Sequence, residues 1–236
     1  MTKLIFSLRE GLYHNKGAYT TYSNVKFWKQ KCTMAKTHHM LYNTGTMKKT
    51  KNNIVRIVVI FTLLFLIFGF IGAVLFVNRY YPVEHVDIIN KYSEEFDVDR
   101  TLVFALINAE SRFNARAVSR AGASGLMQIM EDTAYWLAPM AGLSDFSYDQ
   151  ILNPDINIRL GTYYLSMLLG QFESTEAALS AYNAGQGNVR KWLENPEYSS
   201  DGVTLDFIPF PETRNYVARV VDYIKMYDFI LKLLGY

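Results

Sequence analysis

The chain has 236 residues, of which 50% are hydrophobic, 15% aromatic and 19% charged, enough for one packed domain with additional segments. Its charge is uneven: residues 1–78 carry 11 Lys or Arg and one acid, whereas residues 79–236 carry 13 Lys or Arg and 21 Asp or Glu. An acidic folded part argues against nucleic-acid binding. The single cysteine, Cys32, excludes an intrachain disulfide and a cysteine-based metal site.

Residues 1–53 form a basic N-terminal segment that we expect to lie in the cytoplasm. Within it, Met47 opens a basic run that contains Lys48 and Lys49 and leads into an apolar run. A basic run followed by an apolar run is the pattern of a membrane-targeting sequence. We therefore hypothesise that residues 1–46 are an upstream extension from a mis-assigned start codon, which N-terminal sequencing of the native protein would test.

Residues 54–78 are predicted to form a transmembrane anchor. Their central run, residues 57–77, has 21 uncharged residues with the sequence IVVIFTLLFLIFGFIGAVLFV, and a bilayer span needs ~20. A cleaved signal peptide would have a shorter apolar region, and a buried core helix of this length would usually carry a charge. The basic residues precede the run, so the positive-inside rule places the N-terminus in the cytoplasm and residues 79–236 outside a single-pass anchor.

Residues 79–236 are predicted to be all-α, because apolar residues recur at helical spacing and no series of strands is found. Asp97 or Asp99 is expected to cap the second helix of this region, and Ser174 or Thr175 a later one. The predicted helices cover about residues 86–96, 100–112, 125–138, 177–184 and 211–234. Another is expected to open at the cap-plus-first-turn pair Asn153-Pro154 and to carry Ile158, Gly161, Leu165 and Leu168 along one face. A short turn is expected at residues 189–193, followed by a loop at 196–210 with a short extended piece at 203–208.

One carboxylate stands out on the helix at residues 100–112. Val103, Leu106 and Glu110 lie at i, i+3 and i+7, so Glu110 falls on the apolar stripe at the C-terminal end of the helix. Burial and the negative end of the helix dipole both raise the pKa of a carboxyl group. A carboxylic acid that stays protonated near neutral pH is suited to general acid catalysis.

Four segments of the acidic half carry a family resemblance. They are, in chain order, AESRFNARAVSRAGASGLMQIM, NPDINIRLGTYYLSMLL, ALSAYNAGQGNVRKW and PFPETRNYV. Together they resemble the soluble lytic transglycosylase (SLT) domain, over about residues 84–234. The resemblance implies a lysozyme-like (goose-type/SLT) helical domain preceded by one transmembrane helix. Two positions depart from the family pattern, since Glu131 and Gln186 stand where the family usually has proline.

The resemblance also implies an activity. It is the non-hydrolytic cleavage of the β-1,4 bond between N-acetylmuramic acid (MurNAc) and N-acetylglucosamine (GlcNAc) in peptidoglycan, which leaves a 1,6-anhydroMurNAc end. Glu110 would be the single general acid and base of this bacterial cell-wall lyase. The expected partners are peptidoglycan glycan strands and the lipid bilayer, the latter through residues 57–77. No nucleic acid, metal or cofactor is expected.

The substrate-binding residues that the resemblance implies come from the loop after Glu110 and from three later motifs. Polar side chains would bond the sugar hydroxyl and acetamido groups, a glycine would let the backbone approach, and Met and Tyr would offer apolar faces. The candidates are Ser119, Gly125, Gln128, Met130, Tyr182, Asn183 and Glu212. Two have ordinary structural explanations as well: Tyr182 as a core residue, and Glu212 as an acid favoured in the first turn of a helix after Pro211.

Two alternatives to the transglycosylase remain at this point. A hydrolytic muramidase of goose-type lysozyme fold would leave reducing ends rather than 1,6-anhydro ends. A catalytically silent peptidoglycan-binding module would have no need of Glu110. Product analysis separates the first alternative, and loss of lysis on Glu110→Gln substitution separates the second.

Overall fold

A computed structural model of the protein describes residues 21–236, apart from the side chains of residues 21–26 and 45–46. The hypothesis of an upstream extension falls partly on residues 1–20 and to that extent lies outside the described residues. The chain divides into two compact units, of which the first ends at Phe70 and the second runs from Ile71 to Tyr236. Helix α1, Thr21–Tyr80, contains the apolar run 57–77. Among the described residues, it is the helix whose length and composition suffice to cross a bilayer.

The second unit is all-α, which confirms the predicted fold class. After the end of α1 come α2 (Val86–Glu95), α3 (Arg100–Ser111), α4 (Glu131–Leu137), a 3-10 helix (Tyr148–Leu152), α5 (Pro154–Gln171), α6 (Thr175–Ala184), α7 (Gln186–Leu193) and α8 (Pro211–Leu234). In residues 71–236 no strand forms, and two isolated antiparallel bridges join Ser124 to Val118 and to Ile129.

Side chains cap three of these helices at their N-termini, where backbone N–H groups lack partners within the helix. Asp99 accepts a hydrogen bond from the Thr101 N–H at 2.7 Å, which makes Asp99 rather than Asp97 the cap of α3. Asn153 caps α5 in front of Pro154. Ser174, rather than Thr175, caps α6. The predicted starts of α3 and α5 are confirmed, and α6 begins at Thr175, two residues before the predicted range.

The helix predicted at residues 125–138 is wrong in its first half, because α4 begins only at Glu131. Gly125 and Gln128 have positive φ angles of 82° and 50°, which no α-helix accommodates. The segment before α4 is instead a tight turn, so Gln128 does not lie at a helix start. Glu131, which replaces the family's usual proline, is the first residue of α4 and an acid in its first turn, where the helix dipole favours it.

Two smaller expectations also need correction, and one element was not predicted. The turn predicted at 189–193 is the second half of α7, whose apolar signal is weak because only Val189 and Trp192 are buried. Residues 203–208 form no strand, and Tyr148–Leu152 is a 3-10 helix that the sequence pattern does not predict.

Helix α3 lies at the centre of the core. Its residues 102–107 are all buried, which explains why six successive positions are apolar rather than every third or fourth. Its most extensive packing partner is α8. The Phe104 ring lies 5.5 Å from that of Tyr227 on α8, and Phe113, just after α3, lies 6.4 Å from the same ring. This packing fixes the position of the last turn of α3, which carries Glu110.

Candidate active site

Glu110 lies one residue before the end of α3, where the chain turns sharply. Arg112 and Phe113 both have positive φ, at 53° and 62°, and end the helix immediately after Ser111. Part of the Glu110 residue is exposed, but its carboxyl group is surrounded by protein atoms. This burial raises the pKa of Glu110 from an ordinary value of 4.5 to about 7. At neutral pH the carboxyl group is therefore about half protonated.

Two residues of α8 oppose this shift. The Tyr216 hydroxyl and the Arg219 guanidinium both lower the pKa of Glu110, the tyrosine by hydrogen bonding and the arginine by its charge. The Tyr216 hydroxyl is buried and faces the carboxyl group without reaching the geometry of a regular hydrogen bond. Such bonds often tighten only when substrate binds. Arg219 lies one turn further along α8, with its guanidinium carbon 5.8 Å from the centre of the Tyr216 ring.

Tyr182 on α6 also lies near Glu110. Burial and the nearby Glu110 charge raise the pKa of the Tyr182 hydroxyl well above its usual value, so the phenol stays neutral. The hydroxyl donates to the Met127 carbonyl oxygen at 2.9 Å. Its ring packs against Tyr164 at 5.2 Å, and Tyr164 in turn meets Trp136 edge-on at 6.3 Å. A row of aromatic rings thus leads from the neighbourhood of Glu110 to the exposed Trp136.

The turn at residues 124–128 is held by a buried residue of α5, Asn157. Its side-chain oxygen accepts from the Met127 N–H at 2.7 Å, and its amide donates to the carbonyl oxygens of Ser124 at 3.0 Å and Ile151 at 2.9 Å. All three partners are backbone groups outside the α-helices, and the Ser124 carbonyl oxygen also accepts from the Ile129 N–H at 3.0 Å. Asn157 therefore supports this turn where regular secondary structure is absent.

Gly125 is required by this packing. It has φ +82°, and a Cβ atom built on it would collide with the Asn157 side chain and lie 2.9 Å from the Ile151 carbonyl oxygen. The glycine thus allows a close approach of two protein segments, and the expected approach of backbone and substrate stays a prediction.

Gln128 and Ser119 also support the loop. The Gln128 amide group donates to the carbonyl oxygens of Gly125 at 2.8 Å and Ala117 at 3.1 Å, which uses both of its hydrogens. The Ser119 hydroxyl oxygen accepts from the Ala123 N–H at 3.0 Å. The Gln128 side-chain oxygen and the Ser119 hydroxyl hydrogen are the groups left for a ligand.

The three remaining candidates have exposed side chains. Met130, at the start of α4, is 42% exposed. Asn183 is exposed on α6, and its side-chain oxygen accepts from the Thr213 hydroxyl at 2.8 Å, which joins α6 to α8. Glu212 is exposed in the first turn of α8. Among the described residues, no three His, Cys, Asp or Glu side chains come together as metal ligands would.

Comparison with known proteins agrees with this arrangement. Residues 87–202 match the family model described as the transglycosylase SLT domain. The helical domain of this chain belongs to the SLT family. Over 150 residues the chain is 39% identical to the soluble lytic murein transglycosylase of Salmonella typhimurium, an alignment that covers 62% of this chain and 23% of that relative. The SLT domain here thus corresponds to about a quarter of that longer protein.

Two further similarities are to a solved structure and to a protein named as membrane-bound. The structure of an inactive mutant of the lytic transglycosylase Slt from Pseudomonas aeruginosa, with glutamate changed to glutamine, matches with a TM-score of 0.59 and 33% identity, over 66% of this chain and 26% of that one. The membrane-bound lytic murein transglycosylase C of Edwardsiella ictaluri is 37% identical over 118 residues, or 45% of this chain and 32% of that protein.

Sequence reasoning about the SLT domain missed four residues that shape its site: Tyr148, Asn157, Tyr216 and Arg219. Asn157 and Tyr216 stand in the quoted motifs NPDINI and PETRNYV, so a signal was present without an assigned role. The Tyr148 hydroxyl lies 3.1 Å from the carbonyl oxygens of Gly122 and Ile129 and ties both ends of the loop together. Arg219 had no signal, because only the α3–α8 packing brings it near Glu110.

Proposed function

We propose that residues 79–236 form a lytic transglycosylase that cleaves the MurNAc-β-1,4-GlcNAc bond of peptidoglycan, with Glu110 as its single general acid and base. The observation that carries the proposal is the buried Glu110 carboxyl with a pKa of about 7 inside an SLT domain. A group of this pKa is half protonated near neutrality, so it can donate a proton and accept one in the same turnover.

In the first step, protonated Glu110 donates its proton to the glycosidic oxygen. The bond from that oxygen to the MurNAc anomeric carbon breaks, and its electron pair goes to the departing GlcNAc. Positive charge develops on the MurNAc ring, and Glu110 becomes a carboxylate. The Tyr216 hydroxyl and the Arg219 charge favour this carboxylate, since both lower its pKa.

In the second step, the Glu110 carboxylate takes the proton of the MurNAc 6-hydroxyl. The freed oxygen attacks the anomeric carbon of the same sugar and closes the 1,6-anhydro ring. Glu110 ends the cycle protonated, as it began, and no water is consumed. Because the nucleophile belongs to the substrate, one carboxylate suffices where ordinary glycosidases use two.

The surroundings of Glu110 support the use of one carboxylate. Retaining glycosidases place a second carboxyl group about 5–5.5 Å from the first, where each would perturb the other. The groups that perturb the pKa of Glu110 are Tyr216 and Arg219, with no second acid of the described residues among them. This argues against a retaining hydrolase, while an inverting muramidase, whose second carboxyl group would lie about 6.5–9.5 Å away, is separated by product analysis.

The proposed substrate contacts follow from which groups are left free. Met130 would face a sugar ring, while Asn183 and Glu212, both exposed, would bond hydroxyl or acetamido groups. Ser119, Gly125 and Gln128 would act chiefly by shaping the loop, with the Gln128 side-chain oxygen available as an acceptor. Tyr182 would hold the turn at Met127 and present its ring beside the site.

The proposed location is the cell membrane, with residues 57–77 across the bilayer, the N-terminus in the cytoplasm and residues 79–236 outside. The apolar composition of this run, the basic residues before it and the similarity to a protein named as membrane-bound support this topology.

The proposed activity is tested by incubating purified peptidoglycan with the full chain and with its Glu110→Gln variant. We expect the wild type to release soluble fragments and the variant to release none, while circular dichroism shows equal helix content. Lysis by the variant at the wild-type rate would contradict the role of Glu110. A folded wild type that binds peptidoglycan without cleaving it would instead indicate a binding module.

A further inference from the structure

An apolar groove lies on the second unit, formed by the end of α1 and the end of α8. Its volume is about 630 Å³. On one side are Ala73, Val74 and Val77 of α1, and on the other the apolar residues of α8 from Met226 onwards. The groove is separate from Glu110 and has no part in the proposed chemistry.

The α8 side of the groove is strongly apolar and uncovered. Phe229 is 62% exposed, Leu233 73% and Leu234 56%. With Met226 and Ile230 they lie at the i, i+3, i+4, i+7 and i+8 positions of one helix face, whereas Asp228 and Lys232 lie on the other. Soluble proteins rarely leave a contiguous face of this kind open to water.

The chain between the two walls is firmly held. The Asn108 side chain of α3 donates to the Tyr80 carbonyl oxygen at 2.9 Å, and the Tyr227 hydroxyl donates to the Pro82 carbonyl oxygen at 2.9 Å. The Tyr81 ring meets Tyr223 and Tyr227 edge-on at 5.7 and 6.0 Å. The end of α1 is thus fixed against α3 and α8.

The α1 wall of the groove identifies its occupant. Residues 73–77 are the last five of the apolar run 57–77, so in a membrane-spanning helix they would lie in the outermost ~7 Å of the bilayer core. Molecules that contact the α1 wall of the groove at that depth would also contact its α8 wall. Aromatic residues at this level, Tyr80, Tyr81 and Tyr236, suit the membrane interface.

We propose that the groove and the exposed α8 face, Phe229, Leu233 and Leu234, insert into the outer leaflet, so that lipid acyl chains cover them. The inference rests on the proposed membrane anchoring. It adds that the SLT domain is seated on the bilayer by a second contact, as an amphipathic interfacial helix is. Because Asn108 of α3 is hydrogen-bonded to the end of α1, the site would be kept close to the membrane and would act on the glycan strands nearest to it.

The test uses the full chain in lipid vesicles, with its single cysteine removed by Cys32→Ser. A fluorophore is attached through Leu233→Cys or, as a second reporter, Phe229→Cys. Leu152→Cys, an exposed apolar position outside the groove, is the matched control, and Leu66→Cys reports on the apolar run. Quenching is measured with lipids that carry a spin label near the headgroup, with lipids that carry it near the end of the acyl chain for the label at Leu66→Cys, and with iodide in the water.

We expect spin-labelled lipids to quench the labels at Leu233→Cys, Phe229→Cys and Leu66→Cys, and iodide to quench only Leu152→Cys. If Leu66→Cys is quenched by lipid while the two α8 labels respond to iodide alone, anchoring stands and the second contact is overturned. Labels on α8 that neither quencher reaches would place protein on the groove and would also overturn it. A Leu66→Cys label outside the lipid would contradict the anchoring itself.

Discussion

The Tyr182 hydroxyl donates its only hydrogen to the Met127 carbonyl oxygen, at 2.9 Å, although Glu110 lies beside it. A phenol that donates elsewhere cannot stabilise the Glu110 carboxylate. The buried Tyr216 hydroxyl has no such commitment, and it lowers the pKa of Glu110. Two tyrosines near one acid therefore have different functions: one supports the turn at Met127, and the other stabilises charge.

Replacing each hydroxyl separately tests this division. A hydrogen bond to a charged group contributes about 1.5–3 kcal/mol, so we expect Tyr216→Phe to lower kcat by about 10- to 100-fold. The alkaline limb of the variant's pH–rate profile should move to higher pH, because a hydroxyl that lowers the pKa of Glu110 is gone. Tyr182→Phe should leave the limb in place and lower stability by about 1 kcal/mol. An equal shift of the limb in both variants would contradict the division.

The pH dependence of lysis should show an alkaline limb governed by Glu110. Cleavage begins with protonated Glu110, whose pKa is raised to about 7 by burial. We expect the rate to fall above a midpoint near pH 7, rather than near the ordinary value of 4.5. Initial rates of fragment release at constant ionic strength measure this. A constant rate from neutral to strongly alkaline pH would exclude a protonated carboxyl as the acid.

The stability difference between the Glu110→Gln variant and the wild type should depend on pH. The folded pKa of Glu110 lies above the unfolded one, so the stability contributed by its protonated form is complete below pH 4.5 and is lost as the pH rises through about 7. Glutamine cannot ionise. A shift of one pKa unit corresponds to about 1.4 kcal/mol, and partial exposure of Glu110 reduces the effect. We therefore expect the free energy of unfolding of the variant to exceed that of the wild type by about 1–2 kcal/mol at pH 8 and to equal it at pH 4. Thermal unfolding of both proteins at both pH values is the measurement. A stability difference that does not change with pH would contradict the raised pKa of Glu110.

The exposed Arg219 should lower the pKa of Glu110. Its charge lowers the pKa of Glu110, so Arg219→Gln should move the alkaline limb of the rate to higher pH. Because Arg219 is exposed, added salt should reduce the effect. Lys225→Gln is the matched control, since it removes one positive charge from the same helix beside Asp222. The same shift in both variants would indicate net charge in place of a local contact.

Gly125→Ala should damage the turn more than Gly122→Ala. Both glycines have positive φ, at +82° and +93°, so each substitution costs about 1–2 kcal/mol of backbone strain. Only at Gly125 does the new Cβ collide with Asn157, which adds about 1–3 kcal/mol of overpacking. Thermal unfolding of the two variants gives the comparison, and equal losses would show that Asn157 can move aside.

The sequence predicts the helical fold well where the signal is local. Asp99, Asn153 and Ser174 cap the helices that their positions indicate, and the apolar run before Glu110 marks the central helix. The start of α4 is missed because positive φ at Gln128 breaks the helical pattern, and a glutamine gives no warning of that conformation.

The candidate site is predicted less completely, because its contacts join distant segments. Glu110 follows from its own helix, but Tyr216 and Arg219 reach it only through the packing of α3 on α8. Ser119 and Gln128 have the polar groups expected of sugar-binding residues, but their hydrogen bonds are made largely within the loop itself. Residue type therefore predicts which groups can bond, while the fold decides to what.

The most direct test of the central claim is mass spectrometry of peptidoglycan fragments released in water labelled with oxygen-18. If Glu110 acts alone and the MurNAc 6-hydroxyl is the nucleophile, the new ends should be 1,6-anhydroMurNAc, lighter by one water than a reducing end and free of the label. Reducing ends that carry oxygen-18 would show that water attacks the anomeric carbon, and would contradict the transglycosylase in favour of a muramidase.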